Sequence, residues 1–161
     1  MGICCRVGRL VLLAAVALLG AARVETAQEA SGPLARVNQV LEWNQTFIDT
    51  LIATNTANSS SQRLGAIVHT AIFDAYNGIE RRYTPVFFHG GAAPGASRRA
   101  AVVAAAYATL WGLFPTRRAD LDASYSASLA ALSDDGGDGG QSRARGIAWG
   151  MEVASAVLAW R

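Results

Sequence analysis

The sequence predicts an all-α protein, a helical bundle of about five helices following a signal peptide. Three observations carry this. Apolar residues recur at steps of three and four along five separate stretches, the spacing that gathers them on one face of a helix. No alternating apolar–polar run of any length occurs, so strands are not expected. Alanine is abundant and proline occurs only four times, a balance that suits helix interiors and argues against a disordered chain. At 161 residues the chain is long enough for about one ordinary domain.

The first segment reads as a targeting signal. Arg6 and Arg9 form a basic start, and Leu10 to Leu19 is an apolar run too short to span a membrane as a helix. Gly20-Ala21-Ala22 offers small residues for cleavage, so residues 1–22 are expected to be removed and the protein exported. Cys4 and Cys5 lie ahead of the apolar run, which argues against a lipoprotein signal. Both leave with the signal, and the remaining chain has no cysteine for a disulfide or thiol chemistry. The basic residues are 14 arginines with no lysine. Losing Arg6 and Arg9 leaves 12 arginines against 12 acids. That balance argues against an electrostatic nucleic-acid binder.

Residues 23–33 are a polar lead-in, and Pro33 suits a helix start. The first helix is expected over Leu34 to Ala53, with Val37, Val40, Leu41, Phe47, Ile48, Leu51 and Ile52 as its apolar positions. Asn55 to Ser61 is a polar break. Ser59-Ser60-Ser61-Gln62 matches a capping box, in which Ser59 and Gln62 satisfy each other's backbone amides. The second helix points Leu64, Ile67, Val68, Ala71, Ile72, Ala75, Tyr76 and Ile79 at a core and ends near Gly78 to Arg82. Arg81 and Arg82 then complement its C-terminal dipole.

Tyr83 to Ser97 is a long loop with Pro85, Pro94 and several glycines. Its Val86-Phe87-Phe88-His89 is too apolar to hang free and is expected to pack down. Ser97 can cap a third helix over 98–114, striped by Val102, Val103, Ala106, Tyr107, Leu110 and Phe114. Pro115 ends it, and Thr116 is placed to cap a fourth helix from Arg117 to Leu132. There Leu121, Tyr125, Leu129 and Leu132 face inward, and Arg118 and Asp122 can pair on the outside. Ser133 to Gly140 is an acidic, glycine-rich loop. The fifth helix, about Gln141 to Arg161, uses Ile147, Met151, Ala154, Val157 and Leu158, with Trp149, Val153 and Trp160 on an adjoining face.

The residues that invite a catalytic reading are His69 and Asp74, in the apolar run Arg63 to Ile79. Five residues of helix set them about 140° apart around the axis. They cannot form an acid–base pair by themselves, and each reads better as a buried, hydrogen-bonded structural group, with Arg63 a possible partner for such an acid. His89 has no second ligand at metal-binding spacing, and there is no His-Glu-x-x-His. The run Asp134 to Gly139 resembles a calcium loop superficially. Counting from Asp134, glycine stands at position 3 and Arg145 at position 12, where an EF-hand needs an acid and a bidentate Glu. Gly90, Gly91 and Gly95 lack the Gly-Lys-Ser/Thr of a phosphate loop, and no serine sits in a nucleophile elbow. Trp43, Tyr76, Tyr107 and Trp111 are at helical spacings and read as core. No catalytic, cofactor-binding or metal-ligating residue is assigned.

Several segments, in order, carry a family likeness. They are Val40-Leu41-Glu42-Trp43-Asn44, Arg63 to Ile79, Ala96-Ser97 leading into Ala100 to Tyr107, Leu110-Trp111-Gly112-Leu113-Phe114-Pro115, and Gly146-Ile147-Ala148-Trp149-Gly150 with Val153-Ala154. Over about residues 34–161 the chain resembles the N-terminal half of bacterial vanadium-dependent haloperoxidase-like proteins, within the type 2 phosphatidic acid phosphatase superfamily. The resemblance implies an all-helical fold. In a full-length relative it implies a cage of Lys, Arg, Ser, Gly and His around vanadate, or around phosphate as a substrate group. Vanadate-loaded members oxidise halides with peroxide, and phosphatase members pass through a phospho-histidine. Concentrated negative charge calls for cations, and the histidine serves as ligand or nucleophile and as acid–base group.

The cage residues of the family sit in three motifs: Lys, six residues, then Arg-Pro; Pro-Ser-Gly-His; and Ser-Arg with a distal His. None occurs here, so no catalytic residue carries over and this chain alone is expected to bind no vanadate. The expectation is the scaffold half of an exported haloperoxidase- or acid phosphatase-like enzyme, truncated, inactive alone and completed by a C-terminal half or by self-association. The alternatives are a short protein whose scaffold binds something else and an exported helical interaction protein without enzymatic activity.

Overall fold

The computed structural model describes residues 38–132 and 140–161. The signal segment, the lead-in, the start of the first helix at Leu34 and most of the acidic loop from Ser133 lie outside the described residues.

Five α-helices account for the fold, and no strand occurs among the described residues: α1 Gln39–Ala53, α2 Asn58–Glu80, α3 Arg98–Leu113, α4 Arg118–Ala131 and α5 Gln141–Trp160. Two of the helix starts follow directly from side-chain chemistry. Asn38 accepts the Val40 N–H at 3.0 Å and Ser97 accepts the Ala100 N–H at 3.3 Å, each satisfying an otherwise orphaned donor. Of these two caps the sequence reading named only Ser97, and its two remaining caps are corrected. α2 begins one residue before Ser59, with Ala57 as a cap that makes no side-chain bond. Ser59 is therefore already helical, and Ser61 donates back to the Asn58 carbonyl at 2.7 Å instead. Thr116 does not cap α4 either. Pro115, which fixes φ, opens a single 3-10 turn Pro115–Arg117, and this moves the start of α4 to Arg118.

α3 is the central element, packed against each of the other four helices. The predicted stripe Val102, Val103, Ala106 and Leu110 joins Trp43, Phe47, Val68, Ile72, Phe114 and Leu121 in one apolar core. The opposite side of α3 is buried too. There Ala101 and Ala105 join Ile67, Ala71, Ala75, Trp149, Val153 and Val157 in a second core. Alanines on that side let α5 approach closely. A Cβ on Gly150 would overlap the Ala101 carbonyl and lie 2.9 Å from the Ala105 nitrogen, and one on Gly146 would overlap the Ser97 carbonyl. The buried face of α5 is accordingly Gly146, Trp149, Gly150, Val153, Ala154 and Val157. This turns the predicted face of Ile147, Met151 and Leu158 partly outward.

Three further side-chain assignments change. Tyr76 and Trp111, read as core, are 39% and 37% exposed. Trp111 instead carries the Arg118 guanidinium 3.5 Å above its ring, a cation–π contact. Arg118 therefore does not take up Asp122, which accepts the Tyr107 hydroxyl at 2.7 Å. The ion pair at this end of α4 is Arg117–Asp120, at 2.8 Å.

Candidate functional site

Asp74 is 1% exposed and accepts three backbone N–H groups: Val86 at 2.7 Å on Oδ1, and Phe87 and Phe88 at 2.8 Å on Oδ2. A buried carboxylate is tolerated when donors surround it. Here the donors come from the loop after α2. One turn on, Asn77 repeats the device. Its Nδ2 donates to the Tyr83 carbonyl at 2.7 Å and its Oδ1 accepts the Tyr83 N–H at 2.9 Å. Arg81 ends α2 in the left-handed conformation, φ 54°, with its N–H on the Asn77 carbonyl. The last turns of α2 thus hold the loop that follows them.

The loop is pinned by its aromatics Phe87 and Phe88 as well, as expected, whereas Val86 and His89 of the same stretch stay exposed, a correction to the sequence reading. Phe87 stacks on Trp160 with centroids 4.5 Å apart, and Phe88 lies against Trp149 at 5.5 Å. The Trp149 indole donates to the Ala75 carbonyl at 2.9 Å, which ties α5 to α2 directly. Gly78 leaves the room this needs, since a Cβ there would overlap the Trp149 ring.

His69 is not buried, a correction to its sequence reading. It lies off the inward rows of α2, exposed to solvent, with its Nε2 3.1 Å from the Asn44 Oδ1 of α1 and its ring edge-on to Phe47. Arg63 makes no ion pair or hydrogen bond among the described residues. His89 is exposed in the loop and hydrogen-bonds the Phe87 carbonyl at 2.9 Å. Neither histidine has an arginine among its hydrogen-bond partners. A vanadate or phosphate cage needs an imidazole and several cations aimed at one point, and the described residues do not converge in that way. Among the described residues no group of three His, Cys, Asp or Glu side chains is placed to hold a metal ion.

Two titratable tyrosines stand apart from this region. Burial first, and the bond to Asp122 second, push the Tyr107 hydroxyl up to about 12. Burial also raises Tyr125, whose ring stacks on Tyr107 at 4.1 Å. At the start of α3, the Arg98 guanidinium is held above its ordinary value by its hydrogen-bonded ion pair with Glu80, the last residue of α2.

The more suggestive features are surfaces. On α1 the buried residues Gln39, Trp43, Phe47 and Thr50 occupy one side. The opposite side carries Leu41, Ile48 and Ile52, exposed by 66%, 37% and 73%. Spacings of seven and four residues bring these three within about 40° of one another around the helix. Between α2 and the end of α5 runs a groove of about 410 Å³, lined by Arg63, Ala66, Ile67, Thr70, Trp160 and Arg161. Sequence spacing marks Leu41, Ile48 and Ile52 as apolar positions of the first helix, but not that their side of α1 is left uncovered.

The class of protein that these observations define is an all-α helical bundle. No helix among the described residues is long and apolar enough to cross a membrane. Comparison with family models, with characterised proteins and with solved structures gives no match. The likeness to haloperoxidase-like proteins accordingly rests on the segments quoted above.

Proposed function

We propose that this chain is the non-catalytic scaffold half of an exported haloperoxidase- or acid phosphatase-like enzyme. A second segment, on a longer form of the chain or on a partner, carries the oxyanion-binding residues. The observation that carries this reading is the two-sided α1. A surface helix normally offers one apolar stripe. α1 has a buried side and, opposite it, Leu41, Ile48 and Ile52 standing in water. An exposed apolar row of this kind is what a docking partner covers. The use of Asp74 for loop-holding, and the outward setting of His69, support a scaffold role over a catalytic one.

The test is direct. The purified chain, given vanadate, peroxide and bromide or chloride, is expected to produce no oxidised halide, and with phosphate esters no free phosphate. Robust vanadate-dependent halogenation by this chain alone would sink the proposal. The DNA downstream of the Arg161 codon provides a second check. The scaffold reading expects it to encode the Lys-to-Arg-Pro, Pro-Ser-Gly-His and Ser-Arg motifs, in the same frame or a shifted one.

A further inference from the structure

The groove between α2 and α5 is built from different residues than the outer side of α1, and it makes a different demand. Its apolar wall is made by Ala66, Ile67 and Trp160. Trp160 is 61% exposed, an unusual position for a tryptophan. It is nevertheless held in place, because its ring stacks on Phe87 with an interplanar angle of 21°. Phe87 in turn is fixed by its N–H bond to Asp74. The wall is thus anchored to a buried carboxylate instead of left to rotate, and preorganisation of that kind lowers the cost of binding.

The ionisable side chains that line the groove, Arg63 and Arg161, are both cationic, and no Asp or Glu side chain lines it. Neither arginine is engaged by another described residue. An unpaired guanidinium beside apolar surface presents a planar fork matched to a carboxylate. The volume, about 410 Å³, falls within the roughly 300–1,000 Å³ typical of small-molecule sites and is small for a protein partner.

We infer that this groove binds a single-chain alkyl carboxylate. The chain would lie along Ile67 and Trp160, and the head group would pair with Arg63 and Arg161. The site requires both parts of such a ligand. A short carboxylate gains nothing from the tryptophan wall, and an uncharged alkyl head leaves the guanidinium groups without a partner.

The test is calorimetric titration of the purified chain with sodium decanoate below its micellar concentration. Sodium butyrate, decyl maltoside and an acidic peptide free of large apolar side chains serve as comparisons. One-to-one saturable decanoate binding is expected, with the three comparisons at least tenfold weaker. Arg63→Gln is expected to weaken decanoate about tenfold, the scale of one charge-assisted hydrogen bond. Trp160→Ala, on an exposed ring, is expected to weaken it to a similar degree while the far-UV spectrum stays unchanged. Absence of saturable decanoate binding overturns the assignment. Equal binding of decyl maltoside, tighter binding of the acidic peptide, or an Arg63→Gln variant of unchanged affinity each does the same.

Discussion

Asp74 Oδ2 accepts the Phe88 N–H at 2.8 Å across fourteen residues of chain. The same oxygen takes the Phe87 N–H, and Oδ1 takes that of Val86. One carboxylate therefore replaces a stretch of secondary structure. The Val86 to Phe88 backbone has no helix or sheet to satisfy it, and Asp74 supplies the acceptors that its burial requires.

Replacing Asp74 removes those acceptors at a site closed to water. Asp74→Asn keeps the shape but turns one acceptor into a donor that faces donors. It is expected to cost about 2–4 kcal/mol, and Asp74→Ala at least as much. Denaturant unfolding measures the loss, and limited proteolysis should find new cleavage between Tyr83 and Ser97. A variant as stable as the parent would show that the loop is held by its aromatics alone.

His69 tests the opposite case. It is exposed, and its bond to Asn44 joins two surface groups. His69→Ala should change stability by no more than about 0.5 kcal/mol. A loss several times larger in thermal or denaturant unfolding would restore His69 to the structural core that the sequence suggested for it.

The α3–α5 contact depends on the missing side chain of Gly150. Gly150→Ala gains helix propensity, about 1 kcal/mol in an exposed setting. Here the added methyl meets the Ala101 backbone, which cannot rotate away. A net destabilisation of about 1–3 kcal/mol is expected, read as a lower unfolding midpoint. Gly140, where a Cβ would meet nothing within 4 Å, is not informative in the same way because its φ is 86°.

Tyr107 makes stability depend on alkali. Its hydroxyl holds its proton up to about 12 in the folded protein, against about 10 in an unfolded chain. The contribution is complete below pH 10. It is lost as pH rises from 10 towards 12, where the unfolded state releases the proton first. Tyr107→Phe should flatten the fall in unfolding free energy over that window, leaving the contribution of Tyr125. An identical slope in parent and variant would place the alkaline sensitivity elsewhere.

Helix number, type and order were legible in the sequence because apolar period is a local property. Leu121, Tyr125 and Leu129 need only their own spacing to mark α4. The residues misread were those whose fate depends on a neighbour. Trp111 looked like core until Arg118 was seen to cover it. Asp122 had a partner of the right charge four residues away and chose the Tyr107 hydroxyl on another helix. The candidate surfaces show the same limit: an apolar residue is visible in sequence, but whether anything covers it is not.

By itself the sequence determined an all-α fold, the positions of its main breaks, the end of the first helix at Ala53, the Ser97-capped helix, and the geometric separation of His69 from Asp74. The tertiary structure alone decided what that pair does. Asp74 turns inward and binds a loop, while His69 turns out to Asn44. The reason is physical. Period and capping energies arise within a few residues, whereas burial and hydrogen-bond partnership are fixed only when α3 brings the other four helices around itself.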